Sequence, residues 1–165
     1  VKNTSLPTIL FPGSSNQLTK HVDSVLYLNL ISGRNPKYLI EEQVRGASKI
    51  YKYKINPIPT AYILLDGEND SSVVRISKTK PLKMNNKDII LKHAQAGEYL
   101  GNKIIYFDNG SGANKAINLN LLKHIKNHTN VPIMVGGGIN INKQIDQLVN
   151  NGASYIVCGS MFETN

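Results

Sequence analysis

The chain has a single cysteine, Cys158, so no internal disulfide can form. With no export signal in view, the cytoplasm is the expected compartment. No stretch approaches the roughly 18 consecutive apolar residues of a membrane-spanning helix. The first residues lack the charged, apolar, small-residue order of a secretory leader. No GxGxxG follows the first apolar run and no acidic residue stands about twenty positions on, which argues against a dinucleotide-binding fold. There is no internal repeat beyond a strand–helix unit, no low-complexity segment and no interdomain linker.

What is present is a globular composition. Of 165 residues, 41% are apolar and 18% charged, enough for one domain with a core of its own. The formal charge is +8, which raises the question of a nucleic acid or an anionic membrane as partner. The lysines are spread out, however, and the densest group, Lys49, Lys52 and Lys54 in "SKIYKYK", reads as a solvated face. No nucleic-acid partner is expected.

Short, mostly continuous apolar runs alternate with helix-like segments. Strands are expected at Pro7–Phe11, Ser24–Leu30, Ala61–Leu65, Lys103–Phe107, Pro132–Val135 and Ser154–Cys158. Such runs suit parallel strands covered on both faces. Helices are expected at Lys37–Ile50, Lys87–Leu100, Leu119–His128 and Lys143–Asn151. Gly101 and Gly152 stand where helix-stopping glycines belong, and Gln17–His21 is a short turn. This alternation predicts a parallel α/β sheet. Six strands fall short of a (β/α)₈ barrel of about 250 residues, so the sheet is either open or an incomplete barrel.

Several strands end in glycines: "FPGSS", "LDGEND", "FDNGSGA", "VGGGI" and "CGS". A phosphate needs several backbone N–H groups aimed at one point, and side chains there would block its approach. A helix N-terminus behind them adds a favourable dipole. Gly136, Gly137 and Gly138, then Gly159 and Ser160, then Gly110, Ser111 and Gly112 form three such walls on consecutive strand ends. Tight turns between strand and helix also use glycine, so one run alone says little. Tyr106 and Asp108 alternate on one strand and share a face. A carboxylate suits a hydroxyl of a ligand, as acceptor or general base, and not its phosphate. The ligand so described is a small phosphorylated polyol.

Five stretches, "LPTILFPGSSNQLTKHVDSVLYLNLISGRNPKYLIEEQVRGA", "IPTAYILLDG", "SSVVRISKTKPL", "AGEYLGNKIIYFDNGSGA" and "VPIMVGGGI", resemble the geranylgeranylglyceryl phosphate synthase family and its bacterial heptaprenylglyceryl phosphate synthase-like relatives. The likeness runs over nearly the whole chain in the family's order. It implies a TIM barrel and transfer of a prenyl group from an allylic diphosphate to the C3 hydroxyl of sn-glycerol 1-phosphate, with Mg²⁺. It also implies a homo-oligomer at full length and transient membrane contact for the lipid product. The family's tyrosine–x–glutamate–x–glycine–serine–glycine run falls on Tyr106 to Gly112, so Tyr106, Phe107, Asp108, Asn109, Gly110, Ser111 and Gly112 are expected at the glycerol phosphate. Its two phosphate-binding glycines fall on Gly137 and Gly138, and its glycine–asparagine pair on Gly159 and Ser160. Asp108 replaces the family glutamate and Ser160 the asparagine. The family's first-strand lysine and metal-ligand aspartate, and its second-strand glycine turn, have no counterpart. "PTILFPG" matches the third strand. The chain thus reads as a single domain, residues 1–165, a fragment comprising strands three to eight, without the last helix and with no metal ligands of its own. Asp108 and Tyr106 are the expected catalytic residues.

Other signals have plain readings. His124 and His128 are i,i+4 on one helix but lack a third ligand. Asp66, Glu68 and Asp70 fit an acidic loop and no EF-hand. Arg34 either meets a diphosphate or braces its loop. Tyr27 and Tyr62 read as barrel packing rather than as prenyl contacts. Three rival functions stay open: another phosphosugar-binding barrel, a degenerate non-catalytic relative, and a basic polyanion-binding module.

Overall fold

In the computed structural model, residues 5–159 are described. Six strands form one sheet in the order β1-β2-β3-β4-β5-β6: β1 (Ile9–Leu10), β2 (Ser24–Asn29), β3 (Asn56–Leu64), β4 (Ile104–Asp108), β5 (Ile133–Gly136) and β6 (Tyr155–Val157). Every neighbouring pair is parallel. Each strand lies beside the next in sequence, so right-handed crossovers keep all the connecting helices on one side. A doubly wound sheet would reverse its order midway. The six strands are therefore the wall of an incomplete TIM-type barrel, as the sequence suggests.

The two faces confirm this. Residues Ala61, Ile63, Ile105, Phe107, Ile133 and Val135 point outward into one core with Ile90 and Ala94 of α3 (Lys87–Tyr99), Leu121, Leu122 and Ile125 of α4 (Leu119–Lys126) and Leu148 of α5 (Asn142–Asn150). The alternate residues Leu26, Tyr62, Leu64, Ile104, Tyr106 and Met134 form a second, inner cluster. The period-2 alternation of strands separates the two. A third cluster sets Val25 against Ile50 of α1 (Glu42–Tyr53).

Local chemistry sets the helix ends. The Asn118 side chain accepts the N–H groups of Asn120 and Leu121 at 2.9 and 3.1 Å, capping α4. Gly101 and Gly152 have φ of +87° and +108°, the left-handed conformation expected of stopping glycines. Strand β3 begins at Asn56, five residues before the expected Ala61, because Pro57 and Pro59 sit within it. Proline's fixed φ fits an extended chain even though it donates no hydrogen bond. A short helix not anticipated from sequence, α2 (Ser72–Ser77), starts on Ser71. The segment Lys37–Glu41 ahead of α1 is a π-helical turn. Lys49, Lys52 and Lys54 are exposed, the solvated face expected of them.

Strand β1 makes only two rungs with β2, Ile9 with Ser24 and Leu10 with Val25. It then leaves through Phe11 and Pro12. Beyond the rungs, α1 is pinned to β2 by the Gln43 carboxamide, which donates to the Leu28 carbonyl, and by the Tyr27 hydroxyl, which donates to the Gln43 carbonyl at 2.7 Å.

Candidate active site

Register brings the chemistry together at the C-terminal end of the inner face. Tyr62 lies beside Tyr106, Leu64 beside Asp108, and Asp108 beside Gly136. Tyr106 and Asp108 do share a face, as their alternation predicts. The Asp108 carboxylate is 7% exposed and both its oxygens are engaged. The Tyr62 hydroxyl donates to Oδ2, and the Gly110 N–H donates to Oδ1 at 2.8 Å. The Tyr62 and Tyr106 rings stack with centroids 5.2 Å apart. Phe11 meets both edge-on, at 6.3 and 5.4 Å, an arrangement that aromatic quadrupoles favour. Gly136 is bare because a Cβ there would strike the Tyr106 hydroxyl.

Burial first, and the neighbouring Asp108 carboxylate second, hold both phenols well above the ordinary tyrosine range. Both remain neutral donors at physiological pH. The unfolded chain releases these protons near pH 10 while the folded chain still holds them, so stability falls as pH rises past that point. In a titration followed by tyrosinate absorbance, two of the eight tyrosines are expected to ionise only together with loss of tertiary structure. Eight phenols titrating in one reversible phase would contradict this burial.

Three loops interlock above the carboxylate. A Cβ on Gly137, whose φ is +84°, would lie 2.6 Å from the Gly110 carbonyl oxygen. One on Gly138 would strike the main chain at Lys115 and Ala116, and one on Gly110 would lie 2.5 Å from the Ser71 Cβ. Gly112 has φ +71° and faces open space. The structure thus brings the Gly110–Gly112 and Gly137–Gly138 walls together. Gly159 follows β6 two residues past Val157, the partner of Gly136. Ser160 lies outside the described residues. The turn ahead of α5 contributes less than expected, because Gln144 Oε1 already accepts the N–H groups of Asn140 and Ile141 at 2.7 and 3.2 Å.

Two of the expected residues have side chains engaged elsewhere in the fold. Phe107 is wholly buried in the outer, helix-facing core, because its strand position has the opposite parity to Tyr106 and Asp108. Its side chain cannot meet a ligand on the inner face. Asn109, 1% exposed, is a loop clasp, with Nδ2 donating to the Lys115 carbonyl at 2.8 Å. Ser111 is exposed at the loop tip, its carbonyl taken by Asn69.

An apolar cavity of about 260 Å³ opens where β1 parts from β2. Phe11, Leu26, Leu28, Tyr62, Val73 and Gly46 are among its walls. Glu42, also on its wall, accepts the Ser15 N–H at 2.8 Å, and that bond holds its carboxyl below the usual range. Tyr62 and Tyr27, read from sequence as packing, both line this cavity, and Tyr62 is the site residue that sequence reasoning missed. The motifs "AYILLDG" and "IIYFDNG" alone do not pair Tyr62 with Tyr106, since the tyrosines stand four residues before Asp66 and two before Asp108, and it is the strand register that sets them side by side.

The remaining signals resolve plainly. Arg34 braces its loop, donating to the Gly33 and Ile31 carbonyls at 2.6 and 3.2 Å. Glu68 pairs with Lys115 at 2.7 Å and Asp70 with Arg75 at 3.1 Å. The His124 and His128 rings lie 4.6 Å apart, with His128 Nδ1 on the His124 carbonyl. Cys158 packs against the outer core. Among the described residues no group of three or more His, Cys, Asp or Glu side chains is placed to hold a metal ion, and no helix is long and apolar enough to cross a membrane.

Comparison with known proteins places this geometry. A geranylgeranylglyceryl phosphate synthase of Flavobacterium johnsoniae is 44% identical over 164 residues, covering 99% of this chain and 68% of its own. The protein of the same name from Pyrococcus furiosus is 36% identical over 163 residues, covering 99% and 64%. The crystal structure of (S)-3-O-geranylgeranylglyceryl phosphate synthase from Thermoplasma acidophilum in complex with sn-glycerol-1-phosphate superposes with a TM-score of 0.92 at 30% identity, over 98% of this chain and 65% of that one. The chain thus spans about two thirds of these relatives' length. The model of the PcrB family matches residues 1–165, and the chain belongs to that family.

Proposed function

We propose that the protein containing these residues is a prenyltransferase that joins a geranylgeranyl or similar polyprenyl group, from its diphosphate, to the C3 hydroxyl of sn-glycerol 1-phosphate, giving an ether-lipid precursor. The observation that carries the proposal is the junction at Tyr62. One edge of that residue lines an apolar cavity and its hydroxyl holds Asp108, beneath glycine-rich loops. A purely phosphosugar-handling barrel has no use for the apolar cavity. The names of the relatives and the ligand of the Thermoplasma acidophilum structure support the same reading.

In this reading backbone N–H groups of Gly137, Gly138, Gly159 and Ser160 hold the phosphate, with Gly110–Gly112 as the opposite wall. Tyr106 and Asp108 orient the glycerol, and Asp108 receives the proton of the attacking hydroxyl. The apolar cavity takes the prenyl chain and keeps water from the allylic centre as the diphosphate departs. Mg²⁺ belongs to the proposal as the partner of that diphosphate. The described residues supply no ligand set for it. A homo-oligomer and brief membrane contact on product release are proposed with it, and the exposed Ile40, Val44 and Tyr51 along one helical stripe suit the former.

A thermal melt with each glycerol phosphate enantiomer tests the reading. At a hundred times Kd, a ligand that binds only the folded state adds about 2.7 kcal/mol, a rise of roughly 5–10 °C for a protein of this size. sn-Glycerol 1-phosphate is expected to give that rise and sn-glycerol 3-phosphate much less. Equal shifts, or none, would count against the proposed site.

A further inference from the structure

We propose that the Tyr62 hydroxyl relays the proton from the attacking glycerol hydroxyl to Asp108, an inference that rests on the prenyl-transfer reading. Three observations carry it. Tyr62 lines the apolar cavity, whereas Asp108 and Tyr106 are not among its walls. Asp108 is a short side chain, tied at Oδ1 by the Gly110 N–H and covered at Oδ2 by the Tyr62 hydroxyl. The Tyr62 ring is 6% exposed, stacked on Tyr106 and touched by the edge of Phe11, so the freedom left to it is that of its O–H. Both carboxylate oxygens are covered, Oδ1 by the Gly110 N–H and Oδ2 by the Tyr62 hydroxyl, so a glycerol hydroxyl attacking the end of a chain held in the cavity meets the phenol oxygen before it can meet the carboxylate.

The relay balances. As the glycerol oxygen forms its bond to the allylic carbon, the carbon–oxygen pair leaves with the diphosphate. The glycerol proton passes to Tyr62 Oη while the phenol's own proton passes to Asp108 Oδ2. Tyr62 ends neutral, as it began, and Asp108 ends protonated. Burial and the adjacent carboxylate keep the free phenol un-ionised, which suits a donor that hands on one proton while gaining another. A glutamate at position 108 would extend the carboxylate one methylene further. In this chain the phenol supplies the missing reach.

The experiment is a double-mutant cycle in the full-length protein, with kcat and KM measured for sn-glycerol 1-phosphate using geranylgeranyl diphosphate as donor. Tyr62→Phe is expected to lower kcat about 100-fold with KM little changed. In the Asp108→Glu background the same change is expected to cost about threefold or less, because the longer carboxylate reaches the substrate unaided. Equal factors in the two backgrounds, or a Tyr62→Phe enzyme with unchanged kcat, would overturn the relay while leaving the transfer reaction standing. A wild-type protein without transfer activity would overturn both. If Tyr62→Phe fails to fold, 3,5-difluorotyrosine at position 62 keeps the shape and makes the phenol more acidic. The relay requires the alkaline limb of the kcat profile to move to lower pH, and an unmoved limb refutes it.

Discussion

Exchanging Gly137 for alanine is expected to destabilise the fold by about 3 kcal/mol and to abolish the thermal shift produced by sn-glycerol 1-phosphate. Two costs add. The φ of +84° is one that an L-residue occupies at a penalty of roughly 1–2 kcal/mol. The added methyl would also lie 2.6 Å from the Gly110 carbonyl oxygen and 2.9 Å from its nitrogen. These are main-chain atoms that no rotamer change can move aside, and forced overpacking of this kind costs about 1–3 kcal/mol. Relief can come only by separating the loop after β5 from the loop after β4, which are the two walls proposed to hold the phosphate. Urea unfolding measures the first effect and the ligand melt the second. A Gly137→Ala protein with wild-type stability and an intact shift would show that the loops do not interlock as described.

The second large effect is expected at Asp108. Asparagine there keeps the shape but has one acceptor oxygen in place of two, so either the Tyr62 hydroxyl or the Gly110 N–H must face an amide NH₂. Each of those donors is buried, and one left unpaired costs about 1–3 kcal/mol. Catalysis should suffer more, since the carboxylate is the proposed proton acceptor. A loss of about 10²–10⁴ in kcat is expected, with binding of sn-glycerol 1-phosphate reduced far less. Comparable losses in kcat and in affinity would make Asp108 a binding residue and remove it from the proton transfer.

The strands were legible because each is a short apolar run with a turn signal at its end, and five of the six lie within a couple of residues of their expected places. β3 extends further back because Pro57 and Pro59 read as loop residues, although an extended strand accepts their φ. Helix α2 escaped because six residues, Ser72–Ser77, are too few for a period to register. Within the site, the alternation of Tyr106 and Asp108 fixed their common face, and the same parity puts the Phe107 side chain on the opposite one. The Tyr62–Asp108 bond joins residues 46 positions apart, and only strand register could pair them. The glycines announced crowding without saying what crowds them, since the neighbour of Gly137 is the backbone of another loop.

Sequential winding has a consequence for how the molecule is made. From β2 to β6 each strand hydrogen-bonds to the one synthesised just before it, so among the described residues no strand must wait for a distant partner, and a growing chain can dock one strand–helix unit at a time as it leaves the ribosome. The Tyr62–Asp108 contact needs only β3 and β4, whereas the crowded glycines need β5 as well. The proton-handling pair would then form during synthesis before the phosphate-binding walls close over it.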